Sequence, residues 1–445
     1  MKEFKFYLVT DTHYFEKSLG CSGEAYEKYM KNEMYYLAES SDIVHATFEQ
    51  IAKDKKVKTV IIPGDLSKDG EKESHKSFIK ELEMLQKSGK KVFVITAGHD
   101  YNSNPHGYVG NKTVPVEGTT LDELYELYYR FGYENALSVD RQTLSYVAEV
   151  EKGVRMIAFN CDSDRSKKGT IDDRMLNWAK EQINKAKEDN CFIFAINHYP
   201  IIPPVPVFDL VNDAHIKNWR KVASFLADNG VHLALTGHMH IQSINEFYSK
   251  NNNKFVDICT SCLVGSPAKY RKICIKDENT VEVESIPVPE FRPDADGTDT
   301  QRFFDKRAEF ASVNRINRAL NSESKGVLKP IKDIAKVLFN HKTLGQIGNI
   351  LYIKVDSSIK DKPFTVFAAE VTRNIFLGDQ PYVKGTPEYN AIVMTLNRLS
   401  LLVKTAESKL TKNGVTPNIT KMVINSIGNN KGWSDNNATI NLKEK

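Results

Sequence analysis

Five short peptides in the first part of this chain carry residue types suited to holding a metal ion. They are Asp11-Thr12-His13, Gly64-Asp65, Gly98-His99-Asp100, Asn197-His198 and Gly237-His238-Met239-His240. Each follows an apolar run of strand length, and five of the chain's 11 histidines occupy this one kind of position. In extended backbone, one residue between two ligands puts both side chains on the same side. Asp11 with His13, and His238 with His240, can therefore converge. Neutral imidazole with carboxylate suits Zn, Fe or Mn, whereas Mg and Ca prefer shells of oxygen. Six candidate ligands, Asp11, His13, Asp65, His198, His238 and His240, exceed what one tetrahedral ion uses and point to two ions with a shared bridge. Two ions about 3.5–4 Å apart activate water and clamp both oxygens of an in-line displacement, and phosphate-ester hydrolysis is the reaction that most needs this.

The elements that must present these residues read as an α/β layer structure. Apolar runs at 4–9, 57–62, 92–96, 156–159, 192–196 and 232–235 do not alternate, as expected of strands covered on both faces. Amphipathic segments at 71–88, 172–187 and 215–229 separate several of them. Runs at 241–247, 255–259, 273–275 and 281–286 follow with only turns between, which predicts an antiparallel edge or second sheet. In open α/β sheets, ligands bind outside the carboxyl ends of the strands. Five strand ends would thus deliver their side chains to one edge.

The chain of 445 residues is long enough for two domains. Residues 291–445 hold 24 basic and 15 acidic residues, net +9, against 37 and 42, net −5, for residues 1–290. The stretch 287–299 is rich in Pro, Gly and Asp, which places a linker at 291–299 between a domain at 1–290 and another at 300–445. In the latter, Phe310, Val313, Ile316 and Leu320 recur at helical spacing. A second stripe, Ile392, Leu396, Leu399, Val403, Ala406 and Leu410, runs five turns, with Thr386 as N-cap and Pro387 at the first helical position. No structure is assigned to the Asn-rich tail at 413–441. Basic clusters interleaved with aromatics are missing, so nucleic acid is not the expected partner. No apolar run spans a membrane, and the first ten residues alternate like a strand without a signal-peptide core. A cytoplasmic protein is expected, with export by a leader absent from this chain as the alternative. Cys259 and Cys262 form a single C-x-x-C without a second pair and read as two small buried side chains.

The ordered motifs D-x-H, G-D, G-H-D, H and G-H-x-H resemble those of the calcineurin-like metallophosphoesterases over about residues 4–290. The resemblance implies a four-layer α/β/β/α sandwich, here with a mainly α-helical C-terminal domain, and a dinuclear centre. Asp11, His13 and His240 would hold the first ion, Asp65 would bridge, and His198 and His238 would hold the second. His99 would act on the leaving oxygen, with Asp100 or Asp69 orienting its imidazole. The family's second-metal asparagine, just before the catalytic histidine, is replaced by Gly98. Water, Asn102 or Asn104 are the substitutes to consider. Asn160, Asp162 and Asp164 follow the fourth run and could face the cleft, and His106 could line a rim. The implied activity is hydrolysis of a small phosphodiester such as a cyclic nucleotide, with general phosphomonoesterase activity as the alternative. A degenerate site that binds a nucleotide or metal without turnover is the rival from another class.

Overall fold

The computed structural model describes residues 2–31, 33–101, 103–163, 168–292, 297–323, 329–411 and 414–443. Strands β1 (Phe4–Leu8), β2 (Thr59–Pro63) and β3 (Lys91–Ile95) run parallel in a first sheet, in register Phe6↔Thr59 and Thr59↔Lys91. Antiparallel β13 (Lys269–Ile275) and β14 (Thr280–Pro287) extend this sheet from β1, and β15 (Ala438–Asn441) closes its edge. The second sheet has β8 (Val154–Phe159), β9 (Phe192–Asn197), β10 (Leu233–Thr236) and β12 (Lys254–Cys259) in parallel. Antiparallel β11 (Ser243–Tyr248) lies at one edge, and β7 (Ser145–Glu151) and β6 (Ala136–Asp140) at the other.

The two sheets bury their facing sides together. Phe6, Leu8, Val60 and Ile62 of the first meet Met156, Ala158, Phe194, Ile196, Leu235 and Ile258 of the second, and the Phe6 and Phe194 rings stack at 5.7 Å. Side chains one position over, Ile157, Phe159, Ile193, Ala195 and Ala234, turn outward because strand side chains alternate. They pack under α5 (Asp173–Glu188) and α6 (Trp219–Asp228). Helices α2 (Ser40–Lys53) and α3 (Lys72–Lys87) bury Phe48, Ile51, Phe78 and Leu82 against the first sheet. The expected α/β/β/α sandwich is therefore present.

Five strands were not anticipated, four of them before residue 290. The segment between Asp100 and Thr119 holds a hairpin, β4 (His106–Val109) and β5 (Lys112–Pro115), packed on α1 (Glu24–Met30). β6 and β7 widen the second sheet. Thr120 and Glu123 cap each other at the start of α4 (Leu121–Leu127). His45 and His75 lie in α2 and α3, whereas His215 and His341 lie outside helices. The first precedes α6, and the second adopts φ +55° in a turn.

The C-terminal segment is helical: α7 (Thr300–Asn321), α8 (Lys329–Phe339), α9 (Leu344–Leu351), α10 (Phe364–Leu377), α11 (Pro387–Arg398), α12 (Ser400–Lys409) and α13 (Ile419–Ile427). The five-turn stripe is two helices, because Leu399 (φ −93°, ψ 19°) interrupts it. The Asn-rich tail, to which no structure was assigned, returns to the first sheet as β15. Buried Arg271 of β13 donates to the carbonyls of Asp435 (3.0 Å) and Cys259 (2.9 Å), tying the tail to both sheets. Tyr36 stacks on Phe303 of α7 at 4.1 Å. Contacts therefore cross the boundary near residue 290, while Leu344, Ile347, Phe367 and Ala391 form a cluster of the helical segment's own. A chain ending at Pro287 should lose its cooperative thermal transition, since Arg271 and β14 would be left uncovered. A sharp melt for that truncated chain, within a few degrees of the full protein, would show the contacts to be dispensable.

Candidate metal centre

The strands leave their carboxyl ends at one seam between the sheets, and the six predicted ligands meet there. From the first sheet come Asp11 and His13 after β1 and Asp65 after β2. From the second come His198 after β9 and His238 and His240 after β10. Five of these six residues adopt positive φ: Asp11 (53°), His13 (36°), Asp65 (49°), His238 (70°) and His240 (58°). Such backbone is uncommon for residues other than glycine, though Asp and His are among the types that tolerate it better. Here it turns consecutive loop residues inward.

The ligand atoms form two groups with one carboxylate between them. Nε2 of His13 lies 3.1 Å from Nε2 of His240, which is 3.4 Å from Asp11 Oδ1. Nε2 of His198 lies 3.3 Å from Nδ1 of His238 and 3.0 Å from Asp65 Oδ2. The same Asp65 oxygen is 4.0 Å from His13 Nε2, so it faces both groups. Lone pairs at these spacings fit one ion each, because ligands about 2.0–2.1 Å from a tetrahedral ion stand roughly 3.3 Å apart. The other ring nitrogens confirm which atoms are free. His198 Nδ1–H donates to the Pro63 carbonyl (2.9 Å), and His238 Nε2–H donates to the Asp213 carbonyl (2.7 Å). Outer partners of this kind fix tautomer and ring orientation in metal sites.

The electrostatics agree. Burial lowers His13 to about 3 and His238 to about 4, leaving both imidazoles neutral with lone pairs available. For Asp11, burial opposes ionisation, but the imidazoles of His240 and His198 outweigh it and hold the carboxyl down at about 2. Asp65 is driven the same way by His198 and His99. Burial disfavours a charged His198, yet Asp65 and Asp11 raise it to about 10, so a proton there balances carboxylates that a divalent ion would balance.

Glycines and cysteines let the loops close. A Cβ on Gly64 (φ +94°) would stand 2.7 Å from the Cβ of Ala97 and 2.9 Å from Nδ1 of His198. A Cβ on Gly237 would overlap Thr10 Oγ1 and a carboxylate oxygen of Asp11. Both cysteines of the C-x-x-C are free and buried, as expected. Their thiols donate to the ligand loops, Cys259 to the Gly237 carbonyl (3.3 Å) and Cys262 to that of Asp11 (3.1 Å).

His99 stands beside the six ligands, its ring edge-on to His13 at 5.3 Å and its side chain 45% exposed. Nδ1–H donates to the Lys68 carbonyl (2.5 Å) and to Asp69 Oδ1 (3.0 Å), leaving Nε2 toward solvent. Burial lowers its affinity for a proton, but the field of Asp65 and the bond to Asp69 prevail and raise it to about 9. Asp100 does not orient this ring. Its carboxyl accepts from the backbone N–H groups of Ser67 and Ala97, both at 2.8 Å, and bends the loop that carries His99. Asp69 is the orienting carboxylate, which corrects the expectation for Asp100 as a catalytic group.

Lys68 was overlooked in the sequence. Its buried ammonium pairs with Asp69, lies 3.0 Å from His106 Nε2 and sits 4.8 Å from the centre of the Tyr29 ring. His106 thus belongs to the cage that holds Asp69. The signal was the charged run Lys68-Asp69-Gly70-Glu71 directly after Gly64-Asp65, but the aromatic partners come from distant segments. Asn102 and Asp164 lie outside the described residues. Asn104 is exposed and offers its carbonyl to His106.

Two neighbouring clusters of imidazole and carboxylate between two sheets define a class, the metal-dependent phosphoesterases. Within it, the family described as calcineurin-like phosphoesterase matches residues 4–242, and the chain belongs to that family. It is a hydrolase of phosphate esters. None of the curated proteins matches. Among solved structures, a dimetal phosphatase from Danio rerio is 12% identical, with 64% of this chain and 97% of the other covered and a TM-score of 0.46. A purple acid phosphatase from yellow lupin (Lupinus luteus) seeds is 10% identical over 65% of this chain and 52% of its own, TM-score 0.40. An NAD nucleotidase from Haemophilus influenzae is 11% identical over 78% and 62%, TM-score 0.34. Among the described residues, no helix is long and apolar enough to cross a membrane.

Because buried Asp11 and Asp65 need a cation, chelation should lower the melting temperature and added Mn should restore it. An ion present at 100 times its dissociation constant contributes about 2.7 kcal/mol. Gly237→Ala should abolish the Mn-dependent shift by displacing Asp11. Melting that ignores both chelator and Mn would contradict the assignment of these residues to a metal centre.

Proposed function

We propose that Asp11, His13 and His240 hold one divalent ion, His198 and His238 a second, and Asp65 bridges them, with a small phosphodiester such as a cyclic nucleotide as substrate. The position of Asp65 Oδ2, 3.0 Å from one imidazole group and 4.0 Å from the other, carries this reading. Mn, Fe or Zn suits the mixed nitrogen and oxygen donors. When bound, the ions would acidify a water and neutralise charge on the phosphoryl oxygens.

The chain's own residues supply the remaining steps. His99, protonated at neutral pH, gives its Nε2 proton to the leaving alkoxide. Asp69, on Nδ1, holds the ring in the donating tautomer and stabilises its charge. Lys68 keeps Asp69 ionised and in place. A diester suits the charge better than a monoester. Two lysines beside the site, Lys68 and Lys168, are already paired with Asp69 and Asp213, so little cationic charge remains for a dianion. The +9 excess of residues 291–445 favours anions in general through the long-range field.

A panel of cyclic nucleotides, linear phosphodiesters and phosphomonoesters, run with Mn, Zn, Fe and Mg, tests the substrate class. The expected result is highest kcat/KM on a small diester. Higher values on monoesters throughout would replace this reading with a general phosphomonoesterase. Asp65→Ala should lose both ions and all activity, and two tightly held ions in that variant would remove the bridging role. His99→Ala should keep its ions and lose about 10²–10⁴-fold in rate on esters with poor leaving groups. Much smaller losses are expected with p-nitrophenyl esters, and equal losses on both would contradict proton donation.

A further inference from the structure

The second group of ligands is incomplete. Asp65, His198 and His238 give it three donors, one of them shared, whereas even a tetrahedral ion takes four. The position where a side chain might complete the shell is Gly98, at the end of β3. Backbone conformation does not require glycine there, because Gly98 is absent from the positive-φ glycines. Space is what disfavours a side chain: a Cβ on Gly98 would stand 3.1 Å from Oδ2 of Asp162, which would have to give way by a few tenths of an ångström. That oxygen accepts the Gly98 N–H at 2.9 Å, across the seam between the sheets.

Asp162 is built into this place. β8 pairs with β9 in register Phe159↔Asn197, so the residues after Phe159 leave the sheet beside His198. Asn160 braces the turn, accepting the Asp162 N–H (3.1 Å) on Oδ1 and donating from Nδ2 to Thr96 Oγ1 (3.1 Å). Asp162 is 2% exposed, and its second oxygen, Oδ1, is buried without a hydrogen-bond partner among the described residues. An ionised carboxylate oxygen left bare in the interior costs several kcal/mol unless a cation or proton meets it. Lys168 approaches the same place, its Cε 3.6 Å from the vacant Cβ position.

We propose that Asp162 is a ligand of the second metal ion, supplying through Oδ1 the donor that position 98 lacks. This rests on the dinuclear reading above. The exchange moves the donor from the end of β3 to the end of β8 and makes it anionic. Glycine at 98 is then the consequence, since it leaves room for the carboxylate.

Titration calorimetry of chelator-stripped protein with Mn, alongside elemental analysis, separates the two sites. Wild-type protein should take up two ions. Losing even an outer partner of a ligand commonly costs about 10–100-fold in metal affinity. Asp162→Ala should therefore weaken one site by at least about 100-fold and leave the other unchanged. Gly98→Asn alone should also weaken it, by crowding Asp162. Combined as Gly98→Asn/Asp162→Ala, the pair should recover much of the affinity, because the amide then enters vacated space. Thermal melts of each variant establish folding, and Asp162→Leu, which has a similar shape and no donor atom, serves if Asp162→Ala does not fold. Two ions bound with wild-type affinities in Asp162→Ala or Asp162→Leu would overturn the inference while leaving the dinuclear reading intact. Fewer than two ions in wild type would overturn both.

Discussion

Two ionised carboxylates buried among imidazoles govern this structure. Asp11 and Asp65 are excluded from solvent at the seam where the two sheets end, and each such charge costs several kcal/mol unless it is compensated. Positive backbone around them adds to that cost. A left-handed residue other than glycine is unfavourable by roughly 1–2 kcal/mol, so five ligands in that state approach the net stability of a typical domain. Divalent cations would answer the first cost directly. The second is met by bonds that leave the loops no alternative path. Asp11 N–H reaches the Gly64 carbonyl at 3.3 Å, His13 N–H the Asp65 carbonyl at 3.0 Å, and Gly237 N–H the His198 carbonyl at 2.9 Å. The ligand loops thus hold one another, and none can relax alone.

The C-terminal segment takes part in that restraint. Met239, between the two histidines of the last motif, packs with Ile375 and Phe376 of α10, and the Phe376 carbonyl accepts the Gln242 N–H at 3.0 Å. Asp435 accepts from the Ile244 N–H at 2.8 Å, at the start of β11. The loop bearing His238 and His240 is therefore clamped from outside by helices that bring no ligand. The segment helps set where two of the six ligands stand.

Much of the site was legible because strand ends are topologically simple. A parallel strand delivers whatever follows it to the carboxyl edge, so Asp11, His13, Asp65, His198, His238 and His240 could be assembled without knowing strand order. The layers were legible for a related reason, since runs such as Val60-Ile61-Ile62 are apolar on both faces. What stayed hidden depended on contacts between distant segments. Asp69 and Asp100 flank the motifs about equally in sequence. Only the fold turns one toward His99 and the other toward the Ser67 and Ala97 amides. Lys68 was overlooked because its cage draws on Tyr29 and His106, which are distant in sequence. β15 looked shapeless because an edge strand of Ala438-Thr439-Ile440-Asn441 has a single fully buried apolar residue to mark it.

The departure at Gly98 belongs to the same geometry. Seen along the chain, a missing side chain in a metal motif reads as loss. Between two sheets whose carboxyl edges face one seam, a given volume can be reached from more than one strand end. β3 and β8 lie in different sheets, yet the Gly98 amide and the Asp162 carboxylate meet at 2.9 Å. A donor can then move between strands without disturbing the sheet that carries it, provided the vacated position becomes small. On the proposed ligand set the exchange would also change charge, a carboxylate standing where a neutral amide would.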